Sequence, residues 1–410
     1  IRRPATVRCG TSRAGECVEV VPGTVRHAAR TTYGRPRRGG SAHAVLASAP
    51  FDEGRRTPPR PVNFRPSPPA ASSLVRLGAS ARPVLFVVVD TEEEFDWSQP
   101  FERRNTSVKH MLAIDALQRV FDESGVRPVY VCDYPIATQR ESVDALGSIL
   151  RAGRCEIGAH LHPWVSPPHD EEVNARNSYP GNLPRELERA KLATLTTALE
   201  TNFGVRPRCY KAGRYGFGPH TAQSLVELGY RVDLSPCPPF DLGADGGPDW
   251  SAHPVEPYWE GERRELLVVP TTGAYVGFAR GLGHPFYRIT TSPALRGARV
   301  PGILSRLGAF ERLHLSPEGY LGEHHRRITR TLLASGVRTF TFALHSPSVL
   351  PGCTPYVRTE SDLAAFLDAC RRYFEFFLRE LGGVTMTPLE FRATLDTPRT
   401  QSLATTTERN

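Results

Sequence analysis

Four short segments carry residue types suited to metal-assisted hydrolysis. In Val89-Asp-Thr-Glu-Glu-Glu-Phe-Asp-Trp97, Asp90 and Glu92 are separated by one residue. Close carboxylates repel, and a cation between them relieves the repulsion, so one acid can bind a metal while the other accepts a proton. The alternative is a solvated acidic turn. In Glu156-Ile-Gly-Ala-His-Leu-His-Pro-Trp164, His160 and His162 follow an apolar stretch at i and i+2. Imidazole suits zinc and similar divalent ions, and two histidines beside a strand end form a metal cradle more readily than one alone. In Tyr210-Lys-Ala-Gly-Arg-Tyr-Gly-Phe-Gly218, Arg214 could hold a carboxylate through paired hydrogen bonds, or sit incidentally in a Gly-rich turn. His345, in Phe340-Thr-Phe-Ala-Leu-His-Ser-Pro-Ser348, titrates near working pH and could protonate a leaving amine, or be a buried histidine bonded to backbone.

These residues share one position: each follows an apolar run. Val84-Leu-Phe-Val-Val-Val89 reads as a strand buried on both faces, as in a parallel sheet, and it stops at Asp90. Further strands are expected at 126–131, 155–159, 208–211, 231–234, 265–270 and 339–344. Helices are expected at 107–124, 140–152, 185–201, 219–228, 317–335 and 361–381, most of them ended by glycine. This alternation predicts an α/β fold of βαβ units, in which catalytic groups gather at the carboxyl ends of strands. Residues 277–316 are Gly- and Pro-rich with weak periodicity and read as an insertion or lid. Residues 392–410 read as a loose tail.

The chain has 410 residues and a net charge of +8. Residues 1–82 alone hold 15 Arg against four acids, so the remainder is mildly acidic. That first stretch is rich in Arg, Pro, Gly and Ser and is expected to be a disordered basic extension. The basicity therefore belongs to the extension, and no nucleic-acid partner is expected. The eight cysteines include no CxxC and are expected to be reduced. With no secretory signal and no apolar run of membrane-spanning length, a cytoplasmic protein without transmembrane segments is expected.

The order acid pair, histidine pair, Gly-Arg-Tyr-Gly, Leu-His resembles the polysaccharide deacetylases, which share the NodB homology domain, and most closely their WalW-like subgroup. The resemblance covers residues 83–391, and His-Leu-His-Pro-Trp is its most specific part. It implies a distorted (β/α)7 barrel that removes acetyl from an N-acetylated sugar or glycan with a divalent metal, Zn2+ by ligand type, Co2+ or Ni2+ otherwise. Carried over, Asp90 is the catalytic base, Glu92, His160 and His162 bind the metal, Arg214 orients Asp90 and His345 is the general acid. Three positions depart from the common pattern. Glu92 stands where most members have Asp. Trp164 occupies the usual place of the second histidine, leaving His162, or more weakly His169, to serve. Lys211 stands where many members have arginine. Trp97, Trp164 and Tyr215 could stack on a sugar ring or simply pack in the core.

Three other readings compete. One is a related amidase on a non-sugar C–N bond, and another is a catalytically degenerate glycan-binding domain. The third is an amidohydrolase-type enzyme, but that class would place the His-x-His pair after the first strand.

Overall fold

In the computed structural model, which describes residues 64–320 and 322–396, all seven expected strands form. The described residues form eleven strands, Val84–Thr91 (β1), Val129–Cys132 (β2), Glu156–Leu161 (β3), Cys209–Ala212 (β4), Val232–Asp233 (β5), Tyr258–Glu260 (β6), Leu266–Val268 (β7), Gly273–Val276 (β8), Glu311–His314 (β9), Thr339–His345 (β10) and Val384–Thr385 (β11), and the expected seven correspond to β1 to β5, β7 and β10. The main sheet runs β10-β1-β2-β3-β4-β5-β7-β6, with β11 beside the start of β1. Every neighbouring pair from β10 to β7 is parallel; β6 alone runs antiparallel, along β7. The connecting helices include Ile114–Glu123 (α1), Tyr134–Thr138 (α2), Arg140–Arg151 (α3), Arg185–Phe203 (α4) and Thr221–Glu227 (α5).

Alternate residues of each strand feed two different cores. Leu85, Val87 and Val89 of β1 face outward with Tyr130, Ile157 and Phe342, against the helices. Val84, Phe86 and Val88 face inward with Val129, Val131, Cys209 and Val232. The sheet is therefore curled, with an apolar inside as well as an apolar outside. That is why its strands read as continuous hydrophobic runs rather than alternating ones.

The two ends of the curled sheet meet across a seam rather than a ladder. Thr341 of β10 donates its N–H to Thr272 Oγ1 and its hydroxyl to the carbonyl of Pro270, each at 2.8 Å. Leu315 bridges the same gap: its N–H goes to the Thr272 carbonyl, and its own carbonyl accepts from Ala343. The distorted (β/α)7 barrel is thus seven parallel strands closed by a short hydrogen-bonded stitch.

The expected insertion is an excursion from that seam. β8 and β9 pair as an antiparallel ribbon, and between them lie three short helices, Gly283–Thr290 (α6), Pro293–Gly297 (α7) and Val300–Arg306 (α8). Its last residues belong to the barrel, since Leu315 is part of the stitch. Gly322–Ala334 (α9), Glu360–Glu375 (α10) and Pro388–Asp396 (α11) complete the described chain.

Two boundaries move. Residues 64–82, expected to belong to the disordered extension, pack on the barrel: Val75 is buried in the inner core and donates to the Pro257 carbonyl, and Arg65 pairs with Asp249. Residues 1–63 lie outside the described residues. At the other end, the expected loose tail begins as α11, which runs to Asp396. Arg392 is buried there, donates to the carbonyl of Arg231 at 3.0 Å and lies over Trp259. Residues 397–410 lie outside the described residues. The short strands and single anchoring residues at both ends carry no sequence periodicity that could have announced them. All six described cysteines are free thiols.

Candidate active site

The inward parity of each strand carries straight up to its polar end. Val84, Phe86 and Val88 are followed on the same face by Asp90; Gly158 by His160; Cys209 by Lys211; Thr341 and Ala343 by His345. Pairing register then sets neighbours, because Asp90 lies opposite His345 and His160 opposite Lys211. Residues up to 255 positions apart are thereby gathered at the carboxyl mouth of the barrel.

Glu92, His160 and His162 form one buried cluster. Glu92 Oε2 lies 3.4 Å from Nε2 of both histidines. Their other ring nitrogens fix the tautomers. His160 Nδ1 is 3.0 Å from the Lys211 carbonyl, which can only accept, and His162 Nδ1 is 2.8 Å from Glu93 Oε2. Each Nδ1 is therefore the donor, and each Nε2 turns a lone pair toward Glu92. Burial first, and for His162 its neighbour His160 next, pushes both imidazoles down to about 4, so they are neutral at pH 7. Burial also pushes Glu92 up to about 7. Once ionised, Glu92 joins the two Nε2 atoms as a third lone-pair donor facing one point. A spacing near 3.4 Å is too long for a direct hydrogen bond, but it suits two ligands about 2.1 Å from one tetrahedral ion. The donor set fits a divalent cation of the zinc type. His169 is exposed and stands outside this cluster.

Glu93 is the main residue the sequence reading passed over. It is fully buried and accepts from His162 Nδ1 and from Trp164 Nε1 at 2.6 Å. Its own backbone N–H donates to Asp133 Oδ2, and Asp133 caps α2 through the N–H of Ile136. Trp164 is thus a buried partner of Glu93, stacked on His162, rather than a platform for a sugar. A histidine ligand commonly rests on such a carboxylate, so the signal for Glu93 was the His-x-His pair itself.

Asp90 sits beside this cluster. Lys211 Nζ reaches both its oxygens, at 2.7 and 2.5 Å, and His345 Nε2 is 3.7 Å from Oδ2. Burial opposes the charge on Asp90, but Lys211, His160 and His345 together hold it below the usual carboxylate range. His345 Nδ1 is 2.6 Å from Glu318 Oε2, and Glu318 also accepts from the His345 N–H and the Ser348 hydroxyl. Burial lowers the His345 pKa, yet Glu318, Glu92 and Asp90 outweigh it and push the imidazolium up to about 10. Glu318 follows the insertion, and nothing in its local sequence marks it.

Arg214 does not orient Asp90, contrary to expectation. Arg214 and Tyr215 adopt positive φ angles of 55° and 59°, a left-handed turn that costs energy in non-glycine residues. This turn directs the Arg214 guanidinium to Ser178 Oγ at 2.6 Å, sandwiched near the rings of Tyr179 and Phe101. It leaves the Tyr215 ring under Lys211 Nζ, at 5.0 Å. The preceding Gly213 has a steric reason: a Cβ there would lie 2.4 Å from the His162 ring. Trp97, half-buried, meets the edge of His345 at 5.0 Å and Tyr356 at 5.7 Å, and forms an aromatic wall beside His345. Behind Glu92, the Ser346 hydroxyl receives its N–H at 3.3 Å and is bonded to His110 at 2.8 Å; His110 in turn holds Glu94.

No family model matches the sequence, and no curated protein matches it. Solved structures do resemble it. A candidate polysaccharide deacetylase from Mycobacterium smegmatis is 18% identical, with 82% of this chain and 97% of that one covered at a TM-score of 0.44. The PuuE allantoinase is 15% identical, covering 76% and 89% at 0.43. A family 4 carbohydrate esterase from Streptomyces lividans, solved with acetate, is 10% identical, covering 75% and 93% at 0.33. At such scores function has to be read from the residues at the barrel mouth.

Proposed function

We propose that this chain is a metal-dependent hydrolase of the polysaccharide deacetylase type, which removes acetyl from an N-acetylated sugar or glycan. The observation that carries the reading is the convergence of three lone-pair donors, from Glu92, His160 and His162, beside an ionised Asp90. A divalent cation held there, zinc by donor type, would polarise the acetyl carbonyl and lower the pKa of water.

The remaining steps belong to the protein. Asp90 Oδ2 takes a proton from the attacking water, and Lys211 keeps that carboxylate ionised and fixed before the event. His345, held by Glu318 through Nδ1, gives the proton on Nε2 to the departing amine nitrogen. Asp90 and His345 stand 3.7 Å apart, on adjacent strands, so base and acid face the same side of the cleft. Trp97 beside His345 offers a face to a sugar ring. A non-sugar amide would use the same four groups, so substrate choice rests with the cleft wall.

The test is metal analysis of the purified protein together with acetate release from N-acetylated sugars after loading with zinc, cobalt or nickel. Acetate release with about one bound metal, reduced about 10²- to 10⁴-fold in Asp90→Asn, is expected. Stoichiometric metal with no hydrolysis of any N-acetyl sugar would leave a glycan-binding domain as the better reading.

A further inference from the structure

The insertion between β8 and β9 presents a surface unlike the rest of the molecule. Eight large hydrophobic side chains are strongly exposed among the described residues, and five of them, Phe278, Leu282, Ile289, Ile303 and Leu307, fall within residues 278–307. Phe278 is 80% and Leu307 69% exposed. Scattered single residues of this kind need no explanation, but a cluster in one short excursion does.

Charge in the same segment is one-sided. Between Glu265 and Glu311 there is no acid, while Arg280, Arg288, Arg296, Arg299 and Arg306 occur. All five are exposed. Exposed arginines and exposed apolar residues alternate along the segment: Arg280 falls between Phe278 and Leu282 in sequence, Arg288 precedes Ile289, and Arg306 falls between Ile303 and Leu307. The inward faces are already satisfied. Phe286 packs edge-on against Phe310 at 4.9 Å, Tyr287 lies against Tyr275, and Thr290 is buried. The five exposed apolar side chains are therefore surplus to that packing.

We propose that this face docks on an anionic lipid surface. Short amphipathic helices that pair exposed Phe, Leu and Ile with arginine bind at the headgroup boundary: the apolar side chains enter it and the guanidinium groups meet lipid phosphates. The apolar share separates this occupant from nucleic acid or an acidic glycan, for which arginine alone would suffice. No described helix is long and apolar enough to cross a membrane. The proposal does not rest on the hydrolase reading. It adds that the barrel mouth is held near the surface, because β9 runs from the insertion to Leu315, which is hydrogen-bonded to Ala343 two residues before His345.

The test uses the full chain, in co-sedimentation with vesicles of phosphatidylcholine alone and of phosphatidylcholine with phosphatidylglycerol. Binding to the mixed vesicles is expected. In the triple variant Ile289→Ser, Ile303→Ser, Leu307→Ser it should weaken about tenfold or more, with an unchanged melting temperature. Phe278→Trp should show a blue-shifted emission on the mixed vesicles only. The arginines outside the insertion stay constant in every variant, so undiminished binding by the triple variant assigns the attraction to them and overturns the proposal. Loss of self-association in place of vesicle binding also overturns it, making the face a contact between copies. Should the triple variant misfold, Arg288→Glu with Arg296→Glu and Arg299→Glu carries the same test.

Discussion

Lys211 Nζ contacts both carboxylate oxygens of Asp90, although the two residues sit on strands separated by two others in the sheet. Both groups are buried, so neither has water to fall back on. Removing one member of such a pair leaves an uncompensated charge, at a cost of about 3–5 kcal/mol. Lys211→Met should therefore lower thermal stability and abolish hydrolysis. Arg214→Ala should keep activity within about tenfold, because its side chain serves Ser178 and Tyr179. Paired melting curves and rate measurements decide the matter, and an inactive Arg214→Ala beside an active Lys211→Met would reverse the assignment.

Glu93 should govern metal affinity without touching metal. It accepts the Nδ1 proton of His162, which fixes the lone pair on the other nitrogen. Glu93→Gln is expected to weaken zinc binding about 10- to 100-fold, measured by competition with a chromophoric chelator. His169→Ala should leave affinity unchanged.

Glu318 should set the alkaline limb of the pH–rate profile. Burial depresses the His345 imidazolium, and Glu318 is the largest influence raising it to about 10. Taking away that negative charge lowers the folded pKa, so Glu318→Gln should lose activity at lower pH than the parent. Profiles of kcat/KM from pH 5 to 11 test this, and an alkaline limb that stays in place would remove His345 from the role of acid.

A stability test lies far from the site. Burial pushes Glu188 up to about 7, with the Thr221 hydroxyl pulling the other way. A raised folded pKa means that stability is fully present below the unfolded value of 4.5 and is lost as pH climbs to about 7. The amount is on the order of 3 kcal/mol. Glu188→Gln should flatten that slope in urea unfolding between pH 4.5 and 7.5; an unaltered slope would exonerate Glu188.

Much of this architecture was legible in the sequence because parallel strands buried on both faces leave long apolar runs. Val84 to Val89 announced β1, and polar residues just past such runs announced the barrel mouth. Parity could have been pushed further: counting inward from Phe86 and Cys209 selects Asp90 and Lys211 and passes over Arg214. The left-handed turn at Arg214 and Tyr215 was hidden, since no glycine marks either position. Glu318 was hidden for a different reason, as it comes from a segment with no period. Its pairing with His345 exists only after the sheet has curled.

The seam gives the molecule a mechanical asymmetry. His345 belongs to a strand woven into the sheet along its full length on one side, whereas Glu318 lies across the stitch of Thr272, Leu315 and Thr341. If those few bonds breathe, His345 is parted from Glu318 while Glu92, His160 and His162, on the woven side, stay together. Partial unzipping would leave the Glu92, His160 and His162 cluster whole while His345 stood without its carboxylate partner.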